Sequence, residues 1–277
     1  MALGAVAGAV LAASGCAPQQ PSPEPQLRVE LVQLRGDVAS GHLELRVVNE
    51  SDAPVTVVRA AYASSRWSEA MVREDNPATI PPGLRRNLRV ELPVPTCDGG
   101  PIEHLATLEL ADGSVLERVP SDPLGQVEAL DDRVCDLRAF EEQVAALTWL
   151  EPVIPADGGG PAVLRLRVEP VGQGSSQGSG SVDAVDATVL LTPVDASGTR
   201  IEQLPIGLSI EPGDAPSVVE VPLEPGRCDL HAIAEDKQGT IFRVLVQQDG
   251  ERVALQLVSP DAQRDALLDW VVARCQT

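Results

Sequence analysis

Five cysteines and three histidines carry most of the reactive chemistry in this chain: Cys16, Cys97, Cys135, Cys228 and Cys275, with His42, His104 and His231. Cys228-Asp229-Leu230-His231 brings a thiol, a carboxylate and an imidazole together, with Cys275 as a further potential ligand, a donor set suited to zinc. The first half does not keep that spacing, since His104 lies seven residues after Cys97. A structural disulfide beside a histidine on the next strand is therefore expected, and no metal. No Cys-x-x-Cys exists, which removes dithiol redox chemistry. Residues 174–178 (GSSQG) satisfy G-x-S-x-G, the pattern that presents a nucleophilic serine on a strand-to-helix turn. They lie inside residues 172–180 (GQGSSQGSG), a low-complexity loop with no helix pattern after it. Carboxylate pairs at Asp131-Asp132, Glu141-Glu142 and Asp183/Asp186 are unremarkable among 41 acids, and no apolar run encloses them. No catalytic residue and no cofactor are expected.

The first cysteine has a different setting. Residues 2–15 (ALGAVAGAVLAASG) hold no charge and end at Cys16. This stretch falls short of the roughly 20 residues of a spanning helix but matches a signal-peptide core. Ala13-Ser14-Gly15 lead directly into Cys16 and resemble the lipobox of bacterial lipoproteins, where the cysteine thiol receives a diacylglyceryl group and the preceding peptide is removed. The resemblance covers the first 16 residues and departs from the usual pattern at Ala13, where leucine is common. It implies a lipidated Cys16, residues 1–15 as signal peptide, and attachment to the outer face of a cell membrane. Signal peptides open on a basic segment, yet the first basic residue here is Arg28, so the natural start is expected upstream. Residues 16–26, rich in Pro and Gln (APQQPSPEPQ after Cys16), read as a semi-extended tether.

From residue 27 onward, short alternating segments are broken by Gly, Pro, Asn and Asp. Residues 43–47 (LELRV) alternate with period two, the turn Asn49-Glu50-Ser51-Asp52 follows, and residues 55–58 (VTVV) complete what reads as a hairpin. Residues 88–92, 106–110 and 115–119 continue the pattern, the last two joined by Asp112-Gly113. The same order recurs downstream. Residues 164–168 (LRLRV) mirror 43–47. Pro82-Gly83, then Val90-Glu91-Leu92-Pro93 and Cys97-Asp98, is echoed by Pro212-Gly213, Val219-Glu220-Val221-Pro222 and Cys228-Asp229. His104 is matched with His231 and Gly113 with Gly239, and each half closes on a cysteine, Cys135 or Cys275. This is a tandem duplication.

Two β-rich units with closely spaced turn signals predict an all-β protein of two tandem antiparallel immunoglobulin-like β-sandwich domains, residues 27–140 and 141–277. Ser259-Pro260-Asp261 opens a short C-terminal helix, with Ser259 as its cap and Leu267, Leu268, Trp270, Val271 and Val272 at helical spacing. A shorter counterpart is expected over residues 128–134. The architecture resembles the immunoglobulin-like lipoproteins of high-GC Gram-positive bacteria. The Cys…Trp…Cys spacing of antibody domains is absent, because Trp67 precedes both cysteines of the first unit, so no inter-sheet pin is expected. With Cys16 lipidated, four cysteines remain, and a pairing that repeats within each unit selects Cys97–Cys135 and Cys228–Cys275. Each bridge is worth about 4 kcal/mol in the chain-entropy view.

Composition narrows the partners. Twenty-one basic against 41 acidic residues give a formal charge of −20, a field that repels nucleic acid. At 2% aromatic content the chain has few stacking platforms for bases or sugars. Recognition is expected on loops, with residues 64–76 (SSRWSEAMVREDN) and 171–182 the candidates. Trp67 and Met71, flanked by Arg66 and Arg73, would make an interface anchor if they face solvent; the competing reading has Trp67 plugging the edge of the first core. Together these features predict a lipid-anchored extracytoplasmic binding or scaffolding module without catalytic activity. It would be held to the membrane by its anchor and partnered by an envelope protein. The alternative is a solute-binding or cell-envelope enzyme accessory lipoprotein; the scarcity of helical periodicity before Asp261 speaks against βαβ lobes.

Overall fold

The computed structural model describes residues 24–74, 76–156, 159–172 and 178–276, and each alternating run becomes a strand. In the first half the order is β1 (Leu27–Val32), α1 (Arg35–Ser40), β2 (His42–Asn49), β3 (Val55–Ser64), β4 (Met71–Arg73), β5 (Ala78–Ile80), β6 (Arg85–Glu91), β7 (His104–Leu110), β8 (Val115–Arg118) and α2 (Gln126–Gln143). The second half runs β9 (Ala145–Val153), β10 (Ala162–Pro170), β11 (Gly180–Asp186), β12 (Leu191–Pro193), β13 (Gln203–Ile210), β14 (Ser217–Pro225), α3 (Leu230–Ala234), β15 (Ile241–Gln248), β16 (Glu251–Val258) and α4 (Asp261–Cys275).

Among the described residues these strands pair with one another antiparallel and fall into four sheets: β1-β2-β6, β4-β3-β7-β8 with β5 also on β3, β12-β14-β10-β9, and β13-β11-β15-β16. The first two enclose one apolar cluster and the last two another. In β2, Leu43, Leu45 and Val47 are fully buried, and Leu45 sits opposite Leu31 on one side and Leu88 on the other. Period-two alternation thus supplies one wall of a sandwich. The pairings β1–β2, β2–β6, β3–β7 and β7–β8 reappear as β9–β10, β10–β14, β11–β15 and β15–β16, each set followed by a long helix. In immunoglobulin lettering these are strands A, B and E facing C, F and G. The fold is immunoglobulin-like. Among the described residues no helix is long and apolar enough to cross a membrane.

Four local expectations need correction. The turn at residues 49–52 does not close a hairpin: β2 pairs only with β1 and β6, so the chain crosses to the opposite sheet before β3. Buried Asn49 makes that crossing possible, its side-chain amide donating to the carbonyls of Ala53 and Ile80, both at 2.8 Å. The repeat partner of Asp112-Gly113 is Asp249-Gly250, which joins β15 to β16 with both φ angles positive (50° and 85°), as a two-residue type I′ turn requires. Gly239 instead lies against Leu190, where a Cβ would come within 2.4 Å of the leucine Cβ.

The helix expected over 128–134 is α2, 18 residues long. Asp122 starts it, its two carboxylate oxygens accepting from the backbone N–H groups of Gln126 (2.9 Å) and Val127 (2.8 Å). Val127 and Leu130 enter the first core while Phe140 enters the second, so α2 serves both and crosses the expected boundary at 140/141. In α4, Pro260 holds the cap position. Ser259 is buried and its hydroxyl accepts from the Gln263 side-chain amide at 3.0 Å, rather than capping the helix.

Candidate functional site

The four downstream cysteines form the two expected bridges. Cys97, between β6 and β7, bonds Cys135 on α2, and Cys228, before α3, bonds Cys275 at the end of α4. Neither joins two sheets; each ties a helix to the connection that follows β6 or β14. With their sulfurs bonded, Cys228 and Cys275 offer no thiolate. Asp229 caps α3, accepting from the His231 backbone N–H at 2.9 Å. Among the described residues no group of three His, Cys, Asp or Glu could hold a metal. His104 and His231 also differ in setting. His104 opens β7 with Nδ1 3.4 Å from the Tyr62 hydroxyl, whose pKa burial pushes up to about 12, while His231 is exposed in α3. His42 Nδ1 lies 3.1 Å from Ser40 Oγ. Cys16 and residues 174–177 of the G-x-S-x-G motif lie outside the described residues.

The carboxylate pairs do not converge on a cleft. Glu142 pairs with Arg138 at 2.7 Å, Asp186 with Arg243 at 3.6 Å, and Asp183 accepts from the Ser181 hydroxyl at 2.5 Å. Glu141 is held above the ordinary carboxylate range by burial. Asp131 is the exception in position: it is buried on α2, its Oδ2 3.2 Å from Arg66 Nη1. Burial raises its pKa despite the guanidinium.

The proposed anchor at residues 64–76 is not a solvent-facing patch. Trp67 is 5% exposed, Met71 3% and Arg66 7%. Trp67 and Met71 belong to the first core, with the Trp67 ring 6.2 Å from Tyr62. Residues 71–73 form β4 against β3. Arg66 turns inward to Asp131 and donates to the Gly100 carbonyl at 2.8 Å. Half-buried Arg73 donates to the Asn76 carbonyl at 2.8 Å. The reason is geometric: Trp67 bridges to Pro95, so the segment folds down over the sandwich edge rather than projecting from it.

What Trp67 does reach is a groove of about 480 Å³, a volume within the range of small-ligand sites. One wall is residues 92–95 (Leu92, Pro93, Val94, Pro95). The other is the α2 face carrying Leu130, Arg133, Val134, Leu137 and Arg138. Gln33, Val38 and Gly41 from the first half, and Gln256 and Val258 from the second, complete the lining. Val94 is 66% exposed and Val134 41%, so the groove opens on apolar side chains. Two ties hold its walls together: the Cys97–Cys135 bridge, and Arg138, which donates to the Pro95 carbonyl at 3.5 Å. Arg133 stands where the two halves meet. Its guanidinium donates to the side-chain oxygens of Gln33 (2.8 Å) and Gln256 (3.4 Å). Burial lowers its pKa. Sequence reading missed this site because its parts come from five separate stretches of chain.

No family model matches the chain, and no curated protein matches it. Among solved structures, a transglutaminase from red sea bream aligns over 84% of this chain and 31% of its own, with 10% identity and a TM-score of 0.25. An exo-chitosanase from Amycolatopsis orientalis aligns over 83% of this chain and 26% of its own, at 12% identity and a TM-score of 0.21. A domain of a biofilm-associated protein covers 86% and 59%, at 11% identity and 0.19. The chain spans less than a third of the first two.

Proposed function

We propose that this chain is a lipid-anchored extracytoplasmic binding or scaffolding module without catalytic activity, and that it binds through the groove between residues 92–95 and α2. The observation carrying the binding reading is that groove: its walls are cross-linked before any ligand arrives, so little ordering cost falls on association. Asp229 caps α3, the four downstream cysteines are bridged and Asp131 pairs with Arg66, so these groups are engaged structurally rather than aimed at one point. Two disulfides support an oxidising location, and the residues leading into Cys16 support the anchor.

Two measurements test the reading. In a bacterial host, the chain should incorporate an alkyne-tagged fatty acid and sediment with membranes, and Cys16→Ser should lose both properties. Equal labelling of Cys16→Ser overturns the anchor. A photo-reactive residue placed at Val94 should yield an adduct of increased mass in intact cells, and one placed at exposed Val115 on β8 should not. Absence of an adduct at position 94 overturns the groove as the binding surface.

A further inference from the structure

Among the described residues no Asp or Glu lines the groove, although the chain holds 41 acids, and both charged residues in the lining are arginines. Arg138 is already paired with Glu142. Arg133 is not: its two partners among the described residues are neutral amide oxygens, which compensate a desolvated guanidinium poorly compared with a carboxylate. The site therefore presents one uncompensated positive charge at the side of an apolar channel, within a molecule whose general field is negative. Screening limits that field to about 8 Å at physiological salt, so a monoanion can be held locally where a polyanion is repelled.

The wall opposite α2 decides what kind of body accompanies the charge. Pro93 and Pro95 have no N–H. The N–H groups of Leu92 and Thr96 already donate to Gly41 (2.9 Å) and Arg66 (2.9 Å). The Val94 carbonyl accepts from the Ser68 backbone and hydroxyl (3.2 and 3.1 Å), and the Pro95 carbonyl from Arg138 (3.5 Å). What remains among the described residues is the Val94 N–H and the carbonyls of Leu92 and Pro93, one donor for a whole strand, so a peptide laid along this wall would leave most of its own backbone unpaired. A hydrocarbon chain carries no such cost. Among the described residues Trp67 is the single aromatic in the lining, so a stacked ring has little to rest on.

Resting on the binding reading above, we infer that the groove takes a straight-chain aliphatic monocarboxylate of the fatty-acid type, its chain between residues 92–95 and α2 and its carboxylate on Arg133.

The test uses the full chain carrying Cys16→Ser, so that no attached acyl group competes, with dodecanoate as probe, and dodecanol and dodecyltrimethylammonium as neutral and cationic analogues of equal length. Calorimetry and tryptophan fluorescence should show saturable binding of one dodecanoate, stronger than dodecanol by about 10- to 100-fold. Arg133→Met should remove that preference, bringing dodecanoate affinity down to that of dodecanol. Gln256→Glu provides a second variant. It places an internal carboxylate beside Arg133 and should weaken dodecanoate about tenfold without lowering the melting temperature. Equal affinity of the unsubstituted groove for dodecanoate and dodecanol, or a preference that survives in both variants, overturns the proposal. If none of the three probes binds while the adduct at position 94 forms in cells, the ligand class fails and the binding reading stands. If the adduct is also absent, both fail.

Discussion

Arg66 and Asp131 illustrate how much one buried pair can decide. Arg66 Nη1 meets Asp131 at 3.2 Å, Nη2 reaches the Gly100 carbonyl, and Nε is buried without a partner. Such pairs add little net stability over an apolar packing, but removing one member strands the other charge. Asp131→Ala is expected to cost about 3–5 kcal/mol in denaturant unfolding, and Arg66→Met/Asp131→Leu to recover most of it. A double variant as unstable as the sum of its parts would contradict this account. Glu44 offers the opposite sign. It is buried on β2 opposite Arg89, but Asp37 already pairs with Arg89 at 3.1 Å. Burial, then Asp37, hold the Glu44 carboxyl above its ordinary range. Its charged form is thus disfavoured in the fold, and stability present below about pH 4.3 is lost as pH rises through the raised folded value. Glu44→Gln should raise Tm by about 2 °C at pH 7 and leave it unchanged near pH 4.

At the scale of elements, α2 is the informative piece. Its apolar residues do not form one stripe: Val127 and Leu130 serve the first core, Phe140 the second, and buried Asp131 interrupts them. A helix divided between two cores shows weak periodicity, which is why only residues 128–134 were legible as helical. α4 serves a single core through Leu267, Trp270 and Val271, and its pattern was plain. The Cys97–Cys135 bridge fastens α2 against the wall at residues 92–95. Cys97→Ser/Cys135→Ser should lower stability by about 2–4 kcal/mol. Amide exchange should accelerate first in residues 128–137 of α2. Acceleration confined to β1, β2 and β6 would show that the bridge holds the sandwich rather than the helix.

For the whole molecule, the two sandwiches share α2 instead of a Pro/Gly-rich linker. Arg133 reaches Gln33 in one half and Gln256 in the other. Coupling of this kind predicts one calorimetric transition whose calorimetric and van't Hoff enthalpies agree. Inserting Gly-Ser-Gly between Arg138 and Ala139 should split it into two. Two transitions in the unaltered chain would mean that the halves unfold independently.

Sequence alone determined the period-two strands and the Asp112-Gly113 turn, which depend on near neighbours. It also determined which cysteine meets which, across separations of 38 and 47 residues, because the order of motifs is written twice. Tertiary structure alone decided which way Trp67 faces, which sheet follows Asn49, and where a ligand could sit. Each depends on surfaces meeting through space. Trp67 is buried because Pro95 and Tyr62 happen to close over it, and Arg133 meets Gln33 and Gln256 because folding brings those glutamines to its side.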